Sequence, residues 1–240
     1  MKPRIASAAA IIWAVGLATG AQAGNILING DFETGNYAGW SVYTQAGSSG
    51  SVSIAPNNGG ASPLSSSPYR FNLAGGRFFS ITDQNGPGSY SLIQGFTLAA
   101  AAVVTIQFDM FANDQAGIVL SNGRDYTGGP NQNAVVDLLW GGVDPFTDAA
   151  SDIVAILYGP GADDLNGNPN LWTRYSKTMT LGAGSYMLRF AETDNQLFFQ
   201  QGVDNVSVSI PEAATWALMV GGFVMVGAAL RRHRTSIAIA

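Results

Sequence analysis

The chain has 240 residues, of which only 11% are charged and 30 are glycine, and it contains no cysteine. That excludes disulfides, thiolate metal sites and cysteine nucleophiles. Between Gly24 and Ile210, six Arg or Lys stand against fifteen Asp or Glu, a formal charge of −9; nucleic acid, which requires a basic footprint, is excluded as a partner.

The first element is an export signal over residues 1–23. Lys2 and Arg4 supply a positive start, Ala8 to Leu17 an apolar stretch, and Ala21-Gln22-Ala23 a small-x-small cleavage site. This predicts a signal-peptide helix handed to the Sec translocon. Residues 24–210 then form one domain, a length suited to a single sizeable core.

Turn and strand signals alternate through that domain. Asn-Gly pairs at Asn29-Gly30, Asn58-Gly59, Asn85-Gly86, Asn122-Gly123 and Asn166-Gly167 are the chemistry that tight turns with positive φ prefer. Nine runs between them read as strands: Trp40 to Thr44, Ser51 to Ile54, Tyr90 to Leu98, Val103 to Phe111, Val135 to Trp140, Ile153 to Tyr158, Trp172 to Thr180, Tyr186 to Ala191 and Val203 to Ile210. In the fourth, Val104, Ile106, Phe108 and Met110 share one face and Thr105, Gln107 and Asp109 the other, the mark of a half-buried strand. Ala55 to Pro68, rich in Ser, Pro, Gly and Asn, reads as a long surface loop. No helical period competes, so the fold class is all-β, an antiparallel sandwich. Asp163 to Asn170 is acidic but lacks regularly spaced ligands and a closing glutamate, so turn chemistry explains it better than a calcium loop.

The last element, residues 211–240, holds a charge-free run from Trp216 to Leu230 followed by Arg231, Arg232, His233 and Arg234. Such a run predicts a short transmembrane helix, about 22 Å long at 1.5 Å per residue. The arginines belong in the cytoplasmic headgroups and Trp216 at the outer interface. The ordered string Pro211-Glu212-Ala213-Ala214-Thr215-Trp216-Ala217, apolar span and basic end resembles the PEP-CTERM sorting signal in its PEPxxWA variant, with Ala213 in place of the second proline. The resemblance implies that Pro211, Glu212, Trp216, Ala217, Arg231, Arg232 and Arg234 form a sorting motif. An archaeosortase-type membrane enzyme would read it and cleave near Pro211, in bacteria that make exopolysaccharide. The protein would be anchored in the inner membrane before processing and placed afterwards at the cell surface or in the extracellular matrix.

A second resemblance lies at the ends of the domain. Ile26 to Gly35 followed by Gly39-Trp40, and Gly202-Val203-Asp204-Asn205-Val206-Ser207-Val208, resemble the opening and closing segments of carbohydrate-binding-module and galactose-binding-like jelly rolls. The resemblance implies a jelly-roll topology whose ends pair. It also implies a structural Ca²⁺ held by Glu33 and Asp204, with main-chain carbonyls and Asp31 assisting. The residues themselves equally allow turn and strand-edge roles for Asp31 and Glu33, and a bulge at Asp204-Asn205.

The only histidine, His233, lies beyond the apolar run, which excludes a Ser-His-Asp triad and histidine-ligated zinc from the domain. No pair of carboxylates stands out for glycoside hydrolysis. Trp40 and Trp140 sit within strand patterns and read as core; Trp172, after a polar loop, is the candidate sugar-stacking residue. The polar stretch Arg189 to Gln201, beside Phe198-Phe199, reads either as a cleft lining or as a well-bonded loop. The sequence therefore predicts a non-enzymatic, exported surface or matrix protein that binds exopolysaccharide. The alternatives are a purely structural or adhesive matrix component, or a hydrolase using two carboxylates.

Overall fold

The computed structural model describes residues 24–62, 64–84, 86–114, 123–159 and 170–210, together with Phe223. All but one of these residues fall in a first compact unit, Ala23–Pro211. The export segment, the sorting motif with its apolar span, and the acidic turn at 163–169 lie outside the described residues.

Among its described residues the first unit has ten strands: β1 Ser41–Thr44, β2 Ser51–Pro56, β3 Phe78–Gln84, β4 Gly88–Leu98, β5 Ala102–Asp114, β6 Gln132–Trp140, β7 Ile153–Tyr158, β8 Thr173–Leu181, β9 Gly184–Asp194 and β10 Phe199–Ser209. They form two five-stranded sheets, ordered β1-β4-β9-β6-β7 and β2-β3-β10-β5-β8, and every pairing is antiparallel. The fold is an all-β sandwich. From β3 to β10 the sheets read β3-β10-β5-β8 and β4-β9-β6-β7, the winding order of a jelly roll.

Strand alternation builds the core. Val104, Ile106, Phe108 and Met110 of β5 are fully buried, as their shared parity requires, and they meet Leu188 and Phe190 of β9, Val136 and Leu138 of β6, and Val203, Val206 and Val208 of β10. Phe108 stands perpendicular to Phe190 with ring centroids 5.2 Å apart. A second, smaller cluster of Ala55, Tyr69, Phe79, Ile81 and Phe111 is partly closed by Trp172. Because Met110 and Ala112 belong to the first cluster and Phe111 to the second, the two clusters lie on opposite faces of the same sheet.

Strand β3 is absent from the sequence reading for this reason. Phe79 and Ile81 alternate with Ser80 and Thr82, but both sets are buried, so the strand has no solvated face to mark it out. The segment from Ala55 to Pro68 is not merely a surface loop, since it folds back on itself through an Ala61–Pro68 bridge and is followed by the buried Tyr69. Trp40 is core as expected, but Trp140 is 44% exposed and stacks on Tyr186 at the end of β6.

The two ends of the domain pair. Asn25 bridges Ser209 in antiparallel register, Ile26 N donates to Val208 O (2.9 Å), and Val206 N donates to Gly30 O (2.8 Å). A Cβ at residue 30 would fall 2.0 Å from Val206 O, so only glycine permits this approach. Ile26 to Gly35 follows an irregular path with Asn29 at φ 51° and Phe32 at φ 53°, and forms a turn system in place of a regular strand.

Candidate functional site

A cleft of about 340 Å³ opens on the outer face of the β2-β3-β10-β5-β8 sheet, between residues 70–74 and the start of β8. Asp109 forms its floor. This residue alternates with the core side chains of β5 and was expected on the solvent face, yet it is only 2% exposed. Arg174, its cross-strand neighbour on β8, covers it with a two-pronged ion pair: Nε donates to Oδ1 (2.7 Å) and Nη2 to Oδ2 (2.8 Å). Asn205 Nδ2 (2.8 Å) and Asn72 Nδ2 (3.4 Å) add donors to Oδ2. Burial pulls the Asp109 carboxyl upward, but these hydrogen bonds and the guanidinium outweigh it and hold the group below the usual range.

Trp172 forms one wall. Its ring stands nearly perpendicular to Phe79 and Phe111, with centroids 5.1 and 4.7 Å away, and its Nε1 donates to Arg70 O (2.7 Å). Phe71, Leu73 and Leu171 stand exposed around the opening. The cleft therefore combines apolar walls with a fixed guanidinium, a carboxylate and an amide. That combination suits a ligand carrying both C–H faces and hydroxyl groups.

Behind the cleft, residues 72–76 pass between the two carboxylates singled out from the sequence. A Cβ at residue 75 would lie 2.3 Å from Asp204 Oδ2, and one at residue 76 would lie 2.3 Å from Glu33 Oε1. The Gly75-Gly76 pair thus lets the chain enter a space flanked by both acids. Glu33 Oε1 accepts from Arg77 N (2.6 Å) and Phe78 N (3.0 Å). Burial raises this carboxyl, and these main-chain donors with Arg77 overcome that and lower it. Asp204, fully buried, is pushed up to about 7 by loss of solvent, against donors from Asn205 N and Asn72 Nδ2 and with added repulsion from Asp109 and Glu33. Asn57 ties the same segment together by donating to Asn72 O and Gly76 O, each at 3.0 Å.

The structure thus brings Glu33 and Asp204 to one segment. Asp31 is placed differently: its Oδ1 faces Glu33 N at 3.4 Å, and it borders a shallow groove with Asn25, Asn29 and Asn205. Among the described residues, no three acidic or histidine side chains gather as a ready-made metal cluster. A cation here would need the two carboxylates together with neutral oxygens. That donor chemistry fits a hard ion such as Ca²⁺, and the space flanked by both acids is one that side chains at 75 and 76 would fill.

The structure places Trp172, the residue singled out from the sequence, on the wall of this cleft, together with Asp109, Arg174, Asn72 and Phe71, which the sequence did not single out. Asp109 and Arg174 carried no signal beyond ordinary strand alternation; their pairing depends on the β5–β8 register. The polar stretch Arg189 to Gln201 resolves into the end of β9, a short turn and the start of β10. Arg189, fully buried, faces the outer side of its sheet, and Glu192 and Asp194 face inward.

No family model matches the sequence, and no curated protein is similar to it in sequence. Several solved structures are distantly similar in fold. The enzymatically active domain of tailspike protein 4 from bacteriophage CBA120 aligns at a TM-score of 0.47 and 11% identity, over 78% of this chain and 21% of that one. The chain thus spans about a fifth of that domain's length. The carbohydrate-binding module TmCBM61, solved with β-1,4-galactotriose, aligns at a TM-score of 0.43 and 15% identity over 78% and 98% of the two chains. The K3 cleaved adhesin domain of Lys-gingipain from Porphyromonas gingivalis aligns at 0.44 and 18% identity, over 78% and 99%.

Proposed function

We propose that the domain is a non-enzymatic glycan-binding module of an exported surface or matrix protein, and that it holds an uncharged stretch of exopolysaccharide in the cleft at Trp172. The observation that carries this reading is the cleft itself. An indole and Phe71 offer apolar surface for a sugar ring, and the Asp109–Arg174 pair and Asn72 offer fixed hydrogen-bonding groups beside it. The domain's formal charge of −9 favours a neutral glycan over a polyanion.

In this reading a structural Ca²⁺ between Glu33 and Asp204 braces residues 72–76, which form part of the cleft wall. When bound, the ion supplies charge neutralisation and a rigid joint. Asp204 is kept ready by donors on both carboxylate oxygens, and Asp31 assists by orienting the Glu33 main chain. The tail completes the proposal. Pro211, Glu212, Trp216 and Ala217 with Arg231, Arg232 and Arg234 mark the chain for an archaeosortase-type enzyme after Sec export.

Screening the protein against a panel of neutral and acidic polysaccharides tests the binding reading. Expected is retention on at least one neutral glycan, weakened tenfold or more by Trp172→Ala and by chelation of calcium. Retention equal to that of a scrambled-surface control on every glycan removes it, and leaves a purely adhesive role. Mass spectrometry of the surface fraction tests the sorting reading separately: a mature terminus near Glu212 supports it, and an intact Ala240 rejects cleavage.

A further inference from the structure

A second group of polar side chains lies inside the sandwich, at the end where β3 runs into β4 and β9 into β10. Glu192 and Asp194 of β9 share the parity of the core residues Leu188 and Phe190 and so project between the sheets, and both are 0% exposed. Gln132 of β6 sits directly opposite Asp194 in the ladder, and it shares the parity of Ala134 and Val136, which face the same core. Tyr90 of β4 is opposite Glu192. From the facing sheet, Gln84 of β3 reaches across and its Nε2 donates to Glu192 Oε1 (2.8 Å).

This group is not closed. Glu192 Oε2, Asp194 Oδ2, Gln84 Oε1, Tyr90 OH and both amide atoms of Gln132 are buried without a hydrogen-bond partner among the described residues. The titratable groups that act on the pair make matters worse, since Asp83 and Asp194 bear on Glu192 and Asp114 bears on Asp194. All of them are acidic. A buried carboxylate without a counter-charge is strongly unfavourable, and each unsatisfied buried amide adds to that cost. Five of the six orphaned atoms are oxygens, from two carboxylates, two amides and a phenol. Ca²⁺ takes about six to eight such ligands and favours carboxylate and amide oxygens. A proton would neutralise each acid but could supply only one donor apiece.

We propose that this interior end of the sandwich is a cation site, in which Glu192 and Asp194, with the amide oxygens of Gln84 and Gln132 and the Tyr90 hydroxyl, hold a calcium ion between the two sheets. It is separate from the Glu33–Asp204 position. The ion links β9, β6 and β4 of one sheet to β3 of the other, at the end of the sandwich where β3 runs into β4 and β9 into β10.

Equilibrium dialysis of the full-length protein against radiolabelled calcium, after exhaustive chelation, tests the assignment. Three proteins are compared: the wild type, Glu33→Gln with Asp204→Asn, and Glu192→Gln with Asp194→Asn. The interior site predicts one ion per chain that survives the first pair of substitutions and is lost with the second. If the Glu33–Asp204 reading fails, the wild type and the first variant still bind one ion each, so the two readings are separable. The second variant binding as much calcium as the wild type overturns the interior site. Gln132→Leu, which keeps both acids, guards against misfolding of the double variant. It is expected to weaken the interior ion at least tenfold, and unchanged affinity overturns the proposal. So does a stability that responds to pH but not to calcium.

Discussion

Strand β9 carries two polar clusters of opposite character within a few residues of each other. On its outer face, Arg189 is buried with Asp137 as a pair in which each side chain is only 1% exposed. Its Nε and Nη2 meet the two Asp137 oxygens at 2.9 and 2.6 Å, and Nη1 donates to Pro145 O and Thr147 O at 3.0 and 2.9 Å. Every charged atom of that cluster has a partner, and the loop carrying Pro145 and Thr147 closes over it. On the inner face, Glu192 accepts from Gln84 Nε2 and from the Gln201 main chain, and Asp194 from Gln196 N, while one oxygen of each has no partner among the described residues. The contrast separates polarity used as structure from polarity that is incomplete without something the chain does not supply.

Breaking the closed cluster is expected to have the largest effect. Asp137→Ala leaves a fully buried guanidinium without its counter-charge, and the loss is expected at about 3–5 kcal/mol, read as a fall in the urea midpoint with unchanged slope. Exchanging the pair for Met and Leu of similar volume is expected to cost far less, because both charges leave together. A loss under ~1 kcal/mol in Asp137→Ala would show that the surrounding carbonyls alone satisfy Arg189.

The open cluster is expected to show itself through pH when calcium is chelated. Loss of solvent pushes the Asp194 carboxyl up to about 7, against one main-chain donor and with help from Asp114. Glu192 is raised well above its usual value, first by burial and then by Asp194. In the unfolded chain both ionise near pH 4. Between there and about pH 7 the folded state holds more protons than the unfolded one, so stability is full at acid pH and falls as pH rises through that window. Urea midpoints measured in chelator from pH 5 to pH 8 are expected to decline, and Glu192→Gln with Asp194→Asn to flatten the decline. A midpoint rising with pH over that range would contradict the placement of both acids in the interior.

The same strand shows how much of the molecule the sequence could reveal. Nine of the ten strands were legible, because residues such as Val104, Ile106, Phe108 and Met110 alternate against a solvated face. Strand β3 was not read: Phe79 and Ile81 do alternate with Ser80 and Thr82, but Tyr69, Phe111 and Ala55 cover the apolar set and the polar set faces the core, so no solvated face marks it. At the site, Trp172 could be singled out by its position after a polar loop. Asp109 and Arg174 could not, because they are 65 residues apart and only the antiparallel register joins them. Arg189, Glu192 and Asp194 were noticed only as a polar stretch. Their division between two faces needed the strand to run through Asp194, three residues beyond the Ala191 end expected from hydrophobicity.

The smallest effect is expected where polarity is neither buried nor incomplete. Along the outer face of β5 and β8, Thr105 pairs with Thr178 through their hydroxyls (2.8 Å), and Gln107 Nε2 donates to Ser176 Oγ (3.1 Å), all on exposed surface. Water replaces such bonds as readily as it is displaced by them. Thr105→Ala with Thr178→Ala is therefore expected to shift stability by no more than about 0.5–1 kcal/mol, the range for cross-strand pairs. Glycan retention is expected to stay within twofold of the wild type, since neither threonine reaches the cleft at Trp172. A larger loss of binding with unchanged stability would extend the ligand-contacting surface along β5 and β8, and would make this hydroxyl ladder a third kind of polar cluster, complete in itself and used by a partner all the same.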